Sequence, residues 1–88
     1  MQQCYIIVFR ITSGINKQQI IDAIKSYGTY ANIADNVWAI VTESSTVNIR
    51  DFLRGYISDS DGIFVIKSGY EAAWANVICK SEWLKTNL

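Results

Sequence analysis

From Cys4 to Ile11 every position is apolar except Arg10. An unbroken β-branched and aromatic run of this length predicts a strand covered on both faces, and therefore an inner strand of a sheet. The pattern then changes period. Ile20, Ile21, Ile24 and Tyr27 share one helical face, while Lys17, Gln18, Asp22 and Lys25 fall on the other. Asn16 is placed to cap this helix, with Gln19 three residues on and Ile15 and Ile20 spaced as a hydrophobic staple. Gly28 predicts its end.

Two short strands follow, Tyr30–Ala34 and Val37–Val41, folded about Asp35-Asn36. With a two-residue turn, Ala34 pairs with Val37, Asn32 with Ala39 and Tyr30 with Val41. These six positions carry no charge and are expected to form an open face for contact with another protein, whereas Ala31, Ile33, Trp38 and Ile40 are expected beneath the helices. A second helix is predicted where Ser44-Ser45-Thr46 offer caps and Ile49, Phe52, Leu53, Tyr56 and Ile57 recur at helical spacing. Arg50, Asp51 and Arg54 fall on its solvent side. Asp59-Ser60-Asp61-Gly62 reads as a turn and Ile63–Lys67 as a last strand. In the remaining tail, Ser81 is the expected cap of a short helical turn, and Trp74 and Trp83 are expected to clamp the tail to the core or to a second subunit.

The order β-α-β-β-α-β predicts an α+β, ferredoxin-like arrangement. It has one four-stranded antiparallel sheet of order 4-1-3-2, both helices on one face, and a C-terminal tail, all in one domain over 1–88. At 88 residues the chain has little interior, yet half of it is apolar and 12% aromatic. Part of that apolar surface is therefore expected to meet a partner, most simply a second copy of the chain.

Charge narrows the choice of partner. Lys+Arg and Asp+Glu number eight each, so no overall basic field favours nucleic acid, although Arg50 and Arg54 make a small local ridge. The run Tyr5–Phe9 is too short to span a membrane and lacks the flanks of a secretory signal, so a cytoplasmic location is expected. Cys4 and Cys79 are expected as free thiols, with a disulfide the alternative.

Candidate chemistry is sparse. There is no histidine, and two distant cysteines do not make a zinc site. Asp59-Ser60-Asp61-Gly62 contains a fragment of a calcium-loop pattern without its distal Glu. No glycine-rich phosphate loop is present, and no cofactor is expected. Arg10 is the anomaly of its strand. It is expected either to pair with Asp61 or Asp59 across the strand ends, or to meet its counterpart at a dimer axis and hold an anion.

Three segments carry a resemblance to a known family. They are Tyr5-Ile6-Ile7-Val8-Phe9-Arg10, the pair Val37-Trp38, and the tail Gly69…Glu71-Ala72-Ala73-Trp74…Ser81-Glu82-Trp83-Leu84-Lys85-Thr86-Asn87-Leu88. Together they resemble a group of small bacterial proteins labelled SinR-family. That group is similar in fold to the CRISPR-associated ferredoxin-like nuclease of spacer acquisition and to the virulence-associated D toxins, which cleave RNA. The resemblance implies a homodimer with facing sheets, and a first strand ending in an Asp associated with metal-dependent phosphodiester cleavage. Here that position holds Arg10, or Phe9 in the adjacent register, and neither ligates Mg²⁺. The expectation is therefore a non-catalytic homodimeric interaction or regulatory module in a phage-defence or toxin–antitoxin setting. A metal-dependent endonuclease and a dimer binding a small anion or nucleotide are the alternatives.

Overall fold

The computed structural model describes residues 2–12, 17–69 and 71–88. Its elements are β1 (Gln3–Arg10), α1 (Lys17–Lys25), β2 (Tyr30–Ala34), β3 (Val37–Thr42), α2 (Thr46–Arg54), β4 (Gly62–Lys67) and α3 (Ser81–Asn87). They form a small α+β structure: one antiparallel four-stranded sheet and three helices. The sheet order is β2-β3-β1-β4, which read from the opposite edge runs β4-β1-β3-β2. The third helix lies where a short helical turn was expected in the tail, beyond the six-element order.

One face of the sheet lies under α1 and α2. Tyr5, Ile7 and Phe9 of β1 and Trp38 and Ile40 of β3 meet Ile20, Ala23, Ile24, Ile49 and Leu53 in a single buried cluster. This is the alternation of a strand converging with the 3.6-residue period of two helices. Fully burying each large aliphatic member contributes about 1.5–3 kcal/mol before chain ordering is charged against it. Gly28 follows α1 with φ +89, the conformation that ends a helix without steric conflict. Ser45 caps α2, its side chain accepting from the Asn48 amide at 3.1 Å. Phe52 and Tyr56 do not complete the core. They sit at its margin, stacked edge-on in a chain Tyr27–Phe52–Tyr56 with centroids 5.7 and 5.4 Å apart. The expected cap Asn16 and staple residue Ile15 lie outside the described residues.

The hairpin departs from the expected register. Ala34 is opposite Val37, but a bulge between Asn32 and Ala34 then shifts the pairing to Asn32–Trp38, Ala31–Ala39 and Tyr30–Ile40. One extra residue, Ile33, reverses the facing of the rest of β2, because side chains alternate with period two. The Asn32 amide braces the bulge, donating from Nδ2 to the carbonyls of Ala34 (2.8 Å) and Val37 (3.2 Å). Tyr30 and Asn32 thus join Trp38 and Ile40 on the helix side. Tyr30 lies 6.1 Å from Trp38 between ring centroids, and Lys25 Nζ stands 5.8 Å from each ring. Ala31 and Ile33 take the opposite face with Val37, Ala39 and Val41.

That opposite face is not bare. The tail returns across it, and α3 sets Leu84 against the sheet with only 1% of its surface exposed. The Ile78 amide donates to the carbonyl of Ile33 at 2.9 Å, so the tail is tied to the bulge itself. Asn76, with φ 58, makes the turn that delivers Ile78 there. Ser81 is not the cap: Lys80 holds that position without a side-chain bond, while Ser81 Oγ accepts from Trp74 Nε1 at 3.3 Å. Both tail tryptophans remain half-buried, and Leu84 is the residue that anchors α3.

This hierarchy predicts that Leu84→Ala lowers stability by about 2–5 kcal/mol in urea denaturation, the cost of a cavity at a fully packed leucine. Trp83→Ala should cost clearly less. Equal losses would contradict the assignment of Leu84 as the anchor.

Candidate functional site

The sheet face under the tail is divided along its length. On this face Ala31 of β2, Ala39 of β3 and Cys4 of β1 are buried, Ala39 completely. Towards β4 the cover thins into a groove of about 490 Å³, walled by Ile6, Ile33, Val37 and Ile66 from the sheet and by Trp74, Leu84 and Leu88 from the tail. Lys67, Glu71 and Lys85 also line it. Beyond the groove the face is open. Val8, Phe64 and Ile66 are 36%, 59% and 49% exposed. They are cross-strand neighbours, Val8 pairing with Phe64 and Ile6 with Ile66 across the β1–β4 ladder. Small strands keep such side chains adjacent because opposite residues share a face.

Arg10 is the next residue on this face, exposed and paired in the ladder with Gly62. Its expected ion pair with Asp61 or Asp59 does not form: among the described residues no carboxylate bridges Arg10. Asp61 is engaged instead in closing the α2–β4 turn. Its Oδ1 accepts from the Thr12 amide (2.7 Å), and its Oδ2 accepts from the Ser58 amide (3.0 Å) and hydroxyl (3.1 Å). Backbone amides offer fixed donors at lower entropic cost than a long exposed guanidinium, which explains the choice. The turn therefore acts as a strap between the end of β1 and the start of β4.

Of the six positions expected to share one open face, the structure keeps Val37, Ala39 and Val41 together, with Ala34 opposite Val37. It sends Tyr30 and Asn32 to the helix side. Val37 lines the groove and Ala39 is wholly buried within the chain. On this sheet face the large exposed apolar side chains, Val8, Phe64 and Ile66, lie on β1 and β4 instead. Phe64 and Ile66 were readable as alternate residues of a strand. The expected order 4-1-3-2 already puts β4 at an edge; what the sequence did not signal is that the tail stops short of it.

Other chemistry is dispersed. Among the described residues no three of His, Cys, Asp or Glu come together in a way that could hold a metal ion. Asp22 accepts from Gln18 Nε2 at 2.7 Å, and Asp51 pairs with Arg50 at 2.9 Å. Arg50 and Arg54 border a shallow polar hollow with Ser58, Asp59 and Asp61, so acidic groups offset the basic ridge. Cys4 and Cys79 are both free thiols. Burial pushes the Cys4 thiol above its ordinary pKa, partly opposed by a hydrogen bond with Ser68. Among the described residues no helix is long and apolar enough to cross a membrane.

No family model and no curated protein matches this sequence.

Two expectations follow from the geometry. Arg10→Ala should change stability by less than about 0.5 kcal/mol, whereas Asp61→Ala should cost about 0.5–1.5 kcal/mol because it removes the acceptor shared by the Thr12 and Ser58 donors. Denaturant titration of both variants decides between them. Cys79 should react first with iodoacetamide at pH 8, with Cys4 modified only after denaturation, as read by mass spectrometry.

Proposed function

We propose that this chain is a ferredoxin-like protein-interaction module that works as a homodimer and supplies no catalytic centre of its own. One observation carries the proposal. Four of the eight large apolar side chains left exposed among the described residues, Val8, Val47, Phe64 and Ile66, surround the single strand β4. Apolar groups scattered singly over a surface need no explanation, but a cluster gathered around one strand from β1, α2 and β4 itself does. The surface offered differs from the six-residue set suggested by the hairpin pattern, since the bulge and the tail redistribute that set. The resemblance to small CRISPR-associated and virulence-associated proteins supports a regulatory role in phage defence or in a toxin–antitoxin pair. The departure at Arg10 supports a role without metal-dependent cleavage.

A second reading draws on Arg10. An exposed guanidinium with no carboxylate bridge among the described residues is suited to a phosphate or a partner's carboxylate. In this reading sulfate raises the melting temperature of the wild type but not of Arg10→Ala.

Sedimentation velocity over 1–100 µM tests the main reading. The expected outcome is a dimer whose dissociation constant rises by about a hundred-fold or more in Phe64→Lys, because burying an unpaired charge at an interface centre is costly. The far-UV circular dichroism of the variant should be unchanged, as Phe64 is exposed in the isolated chain. A wild type that stays monomeric throughout would contradict the reading. Metal-dependent cleavage of RNA or DNA that depends on Asp59 or Asp61 would replace it with a nuclease.

A further inference from the structure

The two edges of the sheet are built differently. Strand β2 is short, bulged, and bonded to the tail through the Ile78 amide. These are three of the devices by which proteins blunt an exposed edge. Strand β4 has none of them. It is regular from Gly62 to Lys67, contains no proline or bulge, and carries its only charge at its end. A groove of about 230 Å³ runs beside it, between Thr46, Val47 and Arg50 of α2 and Ile63, Phe64 and Val65 of the strand, so α2 flanks the edge without covering it.

The direction of the free backbone groups follows from the ladder. The Ser68 amide donates to the Cys4 carbonyl at 2.9 Å, which makes Cys4–Ser68 a hydrogen-bonded pair. Alternation along an antiparallel ladder then makes Ile6–Ile66, Val8–Phe64 and Arg10–Gly62 hydrogen-bonded pairs as well. Phe64 and Ile66 thus direct their amides and carbonyls inward at β1. Ile63, Val65 and Lys67 direct theirs outward, with no strand beyond them among the described residues. The next outward residue, Asp61, already donates its amide to Ser58 at 3.0 Å, so the available edge begins at Ile63.

We infer that β4 pairs antiparallel with β4 of a second copy about a two-fold axis at Val65, joining the two sheets into one continuous eight-stranded sheet. This inference rests on the homodimer proposed above and specifies its geometry. An outward edge of Ile63, Val65 and Lys67 is complementary to itself in this register. Val65 exchanges hydrogen bonds with its own counterpart, and Ile63 does so with Lys67 in both directions. Every outward amide from Ile63 to Lys67 finds a partner. On the open face Phe64 lies directly opposite Ile66 of the other copy, extending the apolar stripe that begins at Val8. Charge is compatible with the arrangement: the two Lys67 backbones stand about 14 Å apart at ~3.4 Å per residue, beyond the screening distance of about 8 Å at physiological salt. The two Arg10 residues lie far from this axis, so the geometry does not bring them together around one anion.

The register makes a specific cross-linking test. In the proposed dimer Phe64 and Ile66 of opposite copies form a non-hydrogen-bonded pair, with Cα atoms about 4.5 Å apart and within disulfide range. Two residues at position 64, or two at position 66, stand about 8 Å apart and are beyond it. Phe64→Cys and Ile66→Cys proteins of different tag length are prepared in a Cys79→Ser background, mixed, and oxidised. The expected product is the mixed 64–66 disulfide as the dominant covalent dimer. A dominant 64–64 or 66–66 product, or no covalent dimer, overturns the inference. Val65→Pro supplies an independent readout, because it removes only an outward amide that has no partner among the described residues. It should weaken dimerisation at least ten-fold in sedimentation while circular dichroism shows the fold retained. Sedimentation of the wild type separates the two levels of the proposal. A stable dimer that yields no mixed disulfide overturns the edge geometry and leaves the homodimer standing, whereas a monomeric wild type removes both.

Discussion

The placement of one extra residue in β2 governs which surface of this molecule is available. Without the bulge at Ile33, the pairing set by Ala34 and Val37 would carry Tyr30 and Asn32 onto the open face. With it, they turn toward α1, where Tyr30 and Trp38 meet Lys25. The same irregularity leaves the Ile33 carbonyl free to accept from Ile78. That bond and the burial of Leu84 hold the tail across the β2–β3 half of the sheet. A local defect in one edge strand is thereby converted into a cover for half of a sheet face. The other half, around Val8, Phe64 and Ile66, is left in the open.

A functional asymmetry follows from this division. One edge is short, bulged and bonded to the chain's own tail, and the other is regular and unpaired among the described residues. An unprotected hydrophobic edge is an aggregation hazard unless it has a defined partner. The turn around Asp61 defines one end of that edge by consuming the Asp61 amide, and Lys67 marks the other. A bounded, self-complementary edge favours a closed two-fold pair over open-ended stacking, because pairing uses up both edges at once. The apolar surplus of a small chain fits the proposed interaction module.

Much of the architecture was legible in the sequence because periodicity records which side of an element is covered. The unbroken apolarity of Cys4–Ile11 marked an inner strand. The spacing of Ile20, Ile24, Ile49 and Leu53 marked two helix faces, and Gly28 marked a helix end. The bulge was not legible: Asn32-Ile33-Ala34 has no glycine, and its stability depends on Asn32 reaching two carbonyls that only the folded hairpin brings close. Once β2 was misregistered, the candidate surface was misassigned with it. In the tail the deepest anchor was not legible either. Its tryptophans are its largest apolar groups, but the smaller Leu84 is the one that α3 aims at the sheet. The ion pair expected of Arg10 failed because backbone amides outcompeted it for Asp61.

Amide hydrogen exchange followed by NMR at several protein concentrations tests the central claim most directly, since it reads both edges residue by residue. The Ile78 amide should be protected at every concentration, reporting the tail docked on β2 within one chain. Phe64 and Ile66 should also be protected throughout, being bonded to β1. The amides of Ile63, Val65 and Lys67 should gain protection together as concentration rises through the dimer range. Fast exchange at Val65 at all concentrations, beside slow exchange at Phe64 and Ile66, would show an edge that stays open and would contradict the account.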